Sequence, residues 1–256
     1  MVRSLFWLQC VAELRLLKIN PTMSILPILA AVSALQTPTI SDYCQTGLQD
    51  LSFTTRIVKA DQDELKKVNR DFGMMYRFDT VKVQAKEPFK LRLDASVEDT
   101  TLLYLVNGTT QWIRAGRLHI DQKTDLADRP GRRQTIFDFG ILTPSLFDSY
   151  LDAKFVRMDR ATGDPVFDVT YQDKNDHSRS RVWVDPQRKI ISKREWYNQQ
   201  DRELATFYYL NPIQTDGVWM PTRVEVKNVD DRVAGVTQYG NVHVNAGISD
   251  DRFSVR

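Results

Sequence analysis

A catalytic or metal site in this chain would have to be assembled from three histidines, His119, His177 and His243, two cysteines, Cys10 and Cys44, and a scatter of carboxylates. Metal sites draw their ligands in short, recurrent spacings, and none of the histidines lies within such a spacing of another His or Cys. Each therefore reads as a strand or surface histidine. The chain has no glycine-rich phosphate loop and no G-x-S-x-G nucleophile elbow. Asp164, Asp168 and Asp173 fall near turns or on outward positions of alternating segments, as solvated carboxylates do. Asp250-Asp251 lacks the dense oxygen-ligand spacing of a calcium loop. These residues imply no enzyme, no metal and no cofactor.

The abundant chemistry is apolar. Trp112, Trp183, Trp196 and Trp219 lie in strand-like runs, as do Phe207, Tyr208 and Tyr209. Such a supply suits an ordinary β core. It also suits a sheet curved around an apolar cavity with two helices over its mouth, because ligand pockets are concave and mostly apolar. On the second reading the cavity candidates are Phe89, Leu91, Leu93, Leu103, Leu105, Trp112, Leu146, Phe147, Phe207 and Tyr209.

The elements that must position these residues are mainly strands. Residues 180–253 read as four or five of them, punctuated by Asp185-Pro186, Asn211-Pro212 and Asp216-Gly217. Upstream, residues 52–59 and 73–85 are predicted strands, separated by a charged segment, 61–69, that is a loop or a short helix. Leu91, Leu93 and Ala95 continue one face from Phe89, with Lys90, Arg92 and Asp94 opposite. Residues 102–106 and 109–114 flank Asn107-Gly108, a strong hairpin signal because both residues tolerate positive φ; Asn107-Gly108-Thr109 also matches a glycosylation acceptor but is read as a turn. A short strand is expected at 118–121. The polar connection 121–133, ending in Arg129-Pro130-Gly131-Arg132-Arg133, is either a solvated loop or a contact for a phosphate or lipid headgroup. Two helices are predicted, one over 42–51 capped by Ser41, with Tyr43, Leu48 and Leu51 on one side. The other spans 144–151 behind Thr143-Pro144, with Leu146, Phe147 and Tyr150 on its apolar side. The fold class is mainly β: an incomplete, unclosed antiparallel barrel, its curved sheet covered by a helical lid.

The N-terminal part differs. Ile25 to Ala34 is an apolar run of ten residues, with Val32 and Ala34 at the minus-three and minus-one places of a cleavage before Leu35. It is too short to span a bilayer, which takes about 20 residues. Residues 1–34 therefore read as a secretory signal peptide, with translation starting at Met1 or at Met23; a buried amphipathic helix is the alternative. Taking Arg3, Arg15 and Lys18 from 35 basic residues, and Glu13 from 33 acidic ones, leaves 32 of each. That balance argues against a nucleic-acid surface. Cys44 alone then remains, so no internal disulfide can form, and neither cysteine sits in a lipobox. Residues 35–256 are expected to be one periplasmic, soluble, monomeric domain.

The order of several motifs resembles the outer-membrane lipoprotein-sorting and carrier proteins, the LolA/LolB-like superfamily that includes the sensor-regulator RseB. Lys86-Glu87-Pro88-Phe89-Lys90-Leu91-Arg92 is similar to one strand of that family. Val182-Trp183-Val184-Asp185-Pro186, with Ile190 and Arg194-Glu195, is similar to its hairpin. The stretch from Phe207 to Pro221, and Val244-Asn245-Ala246-Gly247-Ile248 through Phe253, resemble later segments. The resemblance implies a carrier of lipoprotein or lipid acyl chains moving toward the outer membrane, with membrane-associated donor and acceptor proteins. A sensor or protein-interaction module on the same barrel is the alternative. The 121–133 segment has no counterpart in the family pattern, and the arginine expected in a carrier's helical lid has no assignable position.

Overall fold

The computed structural model describes residues 37–97 and 100–254; the expected leader, with Met23, lies outside the described residues. The chain enters its sheet in the middle. From β1 (Asp50–Ala60) it meanders outward through β2 (Thr80–Lys86), β3 (Lys90–Val97), β4 (Thr100–Asn107), β5 (Thr110–Ala115) and β6 (Ile120–Asp125) to one edge. A second meander begins at the other edge with β7 (Leu151–Met158). It returns through β8 (Pro165–Tyr171), β9 (Arg179–Asp185), β10 (Ile190–Tyr197) and β11 (Glu203–Leu210). A small separate hairpin, β12 (Ile213–Thr215) and β13 (Val218–Met220), precedes β14 (Arg223–Asn228) and β15 (Val233–Val244). β15 pairs with both β14 and β1 and joins the two meanders into one antiparallel sheet of 13 strands. The sheet curves and does not close into a barrel.

This strand order has a direct consequence. β6 and β7 are consecutive in sequence but lie at opposite edges, so residues 126–150 must cross from one edge to the other. They do so as a strap of short turns, Pro130–Arg132 and Ile136–Phe139, followed by helix Pro144–Ser149. Ile136, Phe137, Phe139, Ile141, Leu142 and Leu146 of the strap are buried in one cluster with Leu51, Phe53, Leu91, Val106, Val182 and Phe207 of the sheet. The core is thus the space between one face of the sheet and the strap.

Turn chemistry accounts for the hairpins. Gly108, at φ +60°, turns β4 into β5, and Asp216-Gly217, at +48° and +81°, turns β12 into β13. Most predicted strands appear where expected, but the stretch 180–253, read as four or five strands, holds seven, β9 to β15, and three further elements differ. The helix expected over 42–51 is only a 3₁₀ turn, Ile40–Tyr43, and Asp50 already opens β1. Long-range bonds override the helical spacing there: the Asp50 carboxylate accepts from the backbone N–H groups of Ala246, Gly247 and Ile248. The strand expected over 73–85 starts only at Thr80. Before it come two short helices, α1 (Gln62–Val68) and α2 (Arg70–Met75). The Asn69 side chain caps α2 by accepting from Phe72 N at 2.6 Å. The short strand expected at 118–121 is displaced. Gly116–Leu118 is a 3₁₀ turn, and Ile120–Asp125 forms β6, so the first five residues of the supposed 121–133 connection belong to the sheet.

Candidate functional site

The strap-facing side of the sheet is apolar because alternate residues of neighbouring strands register there. Leu51, Ala85, Leu91 and Val106 stand directly across from one another on β1 to β4, and Phe53, Val83, Leu93 and Tyr104 form the next row. On the other half of the sheet Val226, Phe207, Arg194, Val182 and Phe167 make an equivalent row. Rings fill the middle: Phe53 lies 5.1 Å from Phe139 of the strap, and Phe72 of α2 lies 5.9 Å from Phe207.

Seven of the ten cavity candidates meet here or at its rim. Leu91, Leu146, Phe207 and Tyr209 are buried, and Phe89, Leu93 and Phe147 are half-buried against the same cluster. Phe89 belongs to the turn before β3 rather than to the strand, at φ +53° after a cis Glu87–Pro88 bond. The other three are separated from them by the pairing register. Leu105 is across from Arg92, Leu103 from Asp94, and Trp112 from Leu105, so all three occupy the opposite face of the sheet. On that face the C-terminal turn Asp250–Phe253 is bound: the Arg92 guanidinium donates to the Arg252 carbonyl, and Arg252 donates to Gln84 Oε1. Trp112 there donates to Asp121 and carries the Arg114 guanidinium 5.2 Å above its ring.

The expected open cavity is filled. Between Phe89, Leu91, Ile136 and Leu146 there remains a void of about 10 Å³, about the least space that holds one water molecule. The strap's own side chains occupy the space where the cavity was expected. A larger cleft, about 370 Å³, opens where the strap meets the 175–178 loop and the turn at 198–199. Arg129 and Arg132 of the basic cluster line it, with half-buried Trp196 on its wall. The cluster is no free loop: Tyr150 Oη donates to the Pro130 carbonyl at 2.8 Å, and Gly131 N donates to Asp176.

Polar groups tie the strap to the sheet. Arg194 on β10 is 8% exposed, and its Nη1 lies 2.8 Å from Asp138 Oδ1. Its guanidinium is packed 4.4 Å from the Phe207 ring and 5.4 Å from the strap's Phe137. Tyr209 Oη donates to the Asp138 carbonyl at 3.1 Å. At the other end Glu87 accepts from Ser145 Oγ and, at 3.3 Å, from Thr143 Oγ1. Burial pushes the Glu87 carboxyl above its ordinary value, and the two hydroxyls only partly offset that. Arg133 donates to the Gly108 carbonyl and stacks 4.1 Å from the Tyr150 ring. Cys44 is buried and its thiol is pushed up to about 12 by desolvation, which removes the thiolate a nucleophile needs. No cluster of three or more metal-ligating side chains occurs among the described residues, and no described helix is long and apolar enough to cross a membrane.

The sequence motifs contain Arg194 and Glu87 without revealing that either turns inward to hold the strap, and they do not include Asp138. Arg194 sits in Lys193-Arg194-Glu195, where charges on successive residues hide which one points inward. Asp138 had a usable signal: Thr135-Ile136-Phe137-Asp138 has capping-box spacing and Gly140 follows, and the structure forms that box.

A family model described as an uncharacterized protein matches residues 145–256. No curated protein matches the chain. Among solved structures, a LolA superfamily protein from Nitrosomonas europaea superposes with a TM-score of 0.56 at 15% identity, covering 84% of this chain and 94% of that one. A DUF1329 family protein from Desulfovibrio piger gives 0.55 at 15% identity, covering 81% and 90%. A domain classed with the outer membrane lipoprotein-sorting proteins, from Vibrio parahaemolyticus, gives 0.55 at 13%, covering 84% and 92%. The unclosed curved sheet and these superpositions agree: this chain has a LolA-like fold.

Proposed function

We propose that this protein is a periplasmic carrier that takes acyl chains of lipids or lipoproteins onto the strap-facing side of its sheet, for transfer toward the outer membrane. One observation carries the reading. The long apolar face is covered by a strap of 3₁₀ turns and one short helix rather than by a second sheet. Short helices are marginal without tertiary packing, so this cover can part from the sheet at less cost than a strand could. In the loaded state the acyl chain replaces Ile136, Phe137 and Phe139 against Leu51, Phe53, Leu91 and Phe207. The similarity to LolA superfamily structures supports the same reading. So does the leader read in residues 1–34, which sends the remainder across the inner membrane. The protein acts without catalysis, as a monomer, between a donor and an acceptor at the two membranes.

The filled interior favours a second reading, in which the strap never leaves and the protein is a sensor or interaction module with a solid core. An environment-sensitive apolar dye separates the two. The carrier takes up the dye, and acylated lipids displace it in a saturable way. A folded protein that takes up no dye at any concentration of lipid is the interaction module.

A further inference from the structure

Arg194 is a buried cation in a central row of the apolar face, and its partnership is incomplete. Its Nε is buried and has no hydrogen-bond partner among the described residues. Asp138 does not supply one: its two carboxylate oxygens face different donors. Oδ1 accepts from Arg194 Nη1 at 2.8 Å, while Oδ2 accepts from Thr135 N at 3.0 Å within the strap's own capping box. A guanidinium is a fork that a single carboxylate matches with both oxygens, and here the pair is made through one oxygen only, the other facing Thr135 N.

Displacement of the strap sharpens the problem. Asp138 and Phe137 both belong to the strap, so its departure removes the counter-ion and one of the two stacked rings together. The sheet groups that remain beside the guanidinium are the Phe207 ring, at 4.4 Å, and the phenols of Tyr209 and Tyr171, which lie within its electrostatic reach but carry no charge at neutral pH. A hydrocarbon chain laid over this row would leave a buried cation with no counter-ion, an arrangement that is strongly disfavoured. The incoming molecule must bring an acid group of its own.

Resting on the carrier reading above, we infer that Arg194 is a recognition site for the head of a carboxylate-bearing amphiphile, which exchanges with Asp138 and engages Nε as well. Asp138 then acts as a stand-in that keeps the site neutral while it is empty of cargo.

The test compares palmitate with hexadecanol, which have the same chain length and differ in the acid head, on the folded protein and on Asp138→Asn. Binding is followed by dye displacement, and folding by circular dichroism. Palmitate is expected to bind at least tenfold more tightly than hexadecanol, and Asp138→Asn to raise the palmitate-to-hexadecanol affinity ratio further. Equal affinities of the two on the native protein would overturn the role of Arg194 and leave the carrier reading standing. Binding of neither would overturn both. An Asp138→Asn protein that folds with an unchanged palmitate-to-hexadecanol ratio would show that Asp138 only braces the strap, and would overturn the exchange. Should that variant fail to fold, the ratio on the native protein decides.

Discussion

Single residues set how tightly the strap is held. Gly140 ends the Ile136–Phe139 turn at φ +84°, and a Cβ there would stand 2.6 Å from Tyr209 Cδ1. Gly140→Ala combines a left-handed backbone with an overlap against a buried ring. It is expected to cost about 1–3 kcal/mol, read as a lowered urea midpoint at unchanged slope. Glu87 gives the opposite kind of prediction. Its carboxyl is raised in the folded protein by burial, so folding favours its protonated form. The stability it confers is complete below the ordinary Glu value of 4.5 and is lost as pH climbs through the raised one. Glu87→Gln keeps an uncharged acceptor for Ser145 and Thr143. It should therefore be more stable than the native protein at pH 7 and indistinguishable from it near pH 4; thermal melts at the two pH values check this. Neither position was legible beforehand. The Gly140 requirement comes from Tyr209, 69 residues away, and the burial of Glu87 comes from the strap.

At the level of elements, local signals read well and long-range ones did not. Asn107-Gly108, Asp185-Pro186 and Asp216-Gly217 placed their hairpins because a turn is decided by a few adjacent residues. The parity of Leu103 and Leu105 was misjudged because it depends on how β4 registers against β3. A one-residue difference in register sends every side chain to the other face. Leu91 pairs with Val106, not Leu105. The expected helix over 42–51 yielded to bonds from Asp50 to the distant 246–248 backbone. Leu91 also corrects the expectation of an empty cavity. It is 1% exposed beside a void of about 10 Å³, so Leu91→Trp has no room in the closed form. It should cost roughly 1–3 kcal/mol, with the unfolding midpoint as the readout; a cost near zero would mean that the strap stands open in solution. Hydrogen exchange tests the strap itself. Amides of residues 136–146 should exchange faster once an acyl ligand is bound, while those of β8 to β11 keep their protection.

For the whole molecule, the strand order makes the strap unavoidable. A sheet whose sixth and seventh strands are opposite edges must send a chain across its face, and that crossing is where a cover can also be a gate. The mature protein is expected to begin at Leu35, which Edman sequencing of the secreted product would read; a start before Met23 would contradict it. The central claim, that the strap-facing side of the sheet accepts acyl chains, is tested most directly by native mass spectrometry after incubation with phospholipid vesicles. A population heavier by the mass of one acylated lipid is expected, abolished when the strap is cross-linked to β10 through engineered cysteines. A folded protein that leaves the vesicles at its bare polypeptide mass, cross-linked or not, would contradict it.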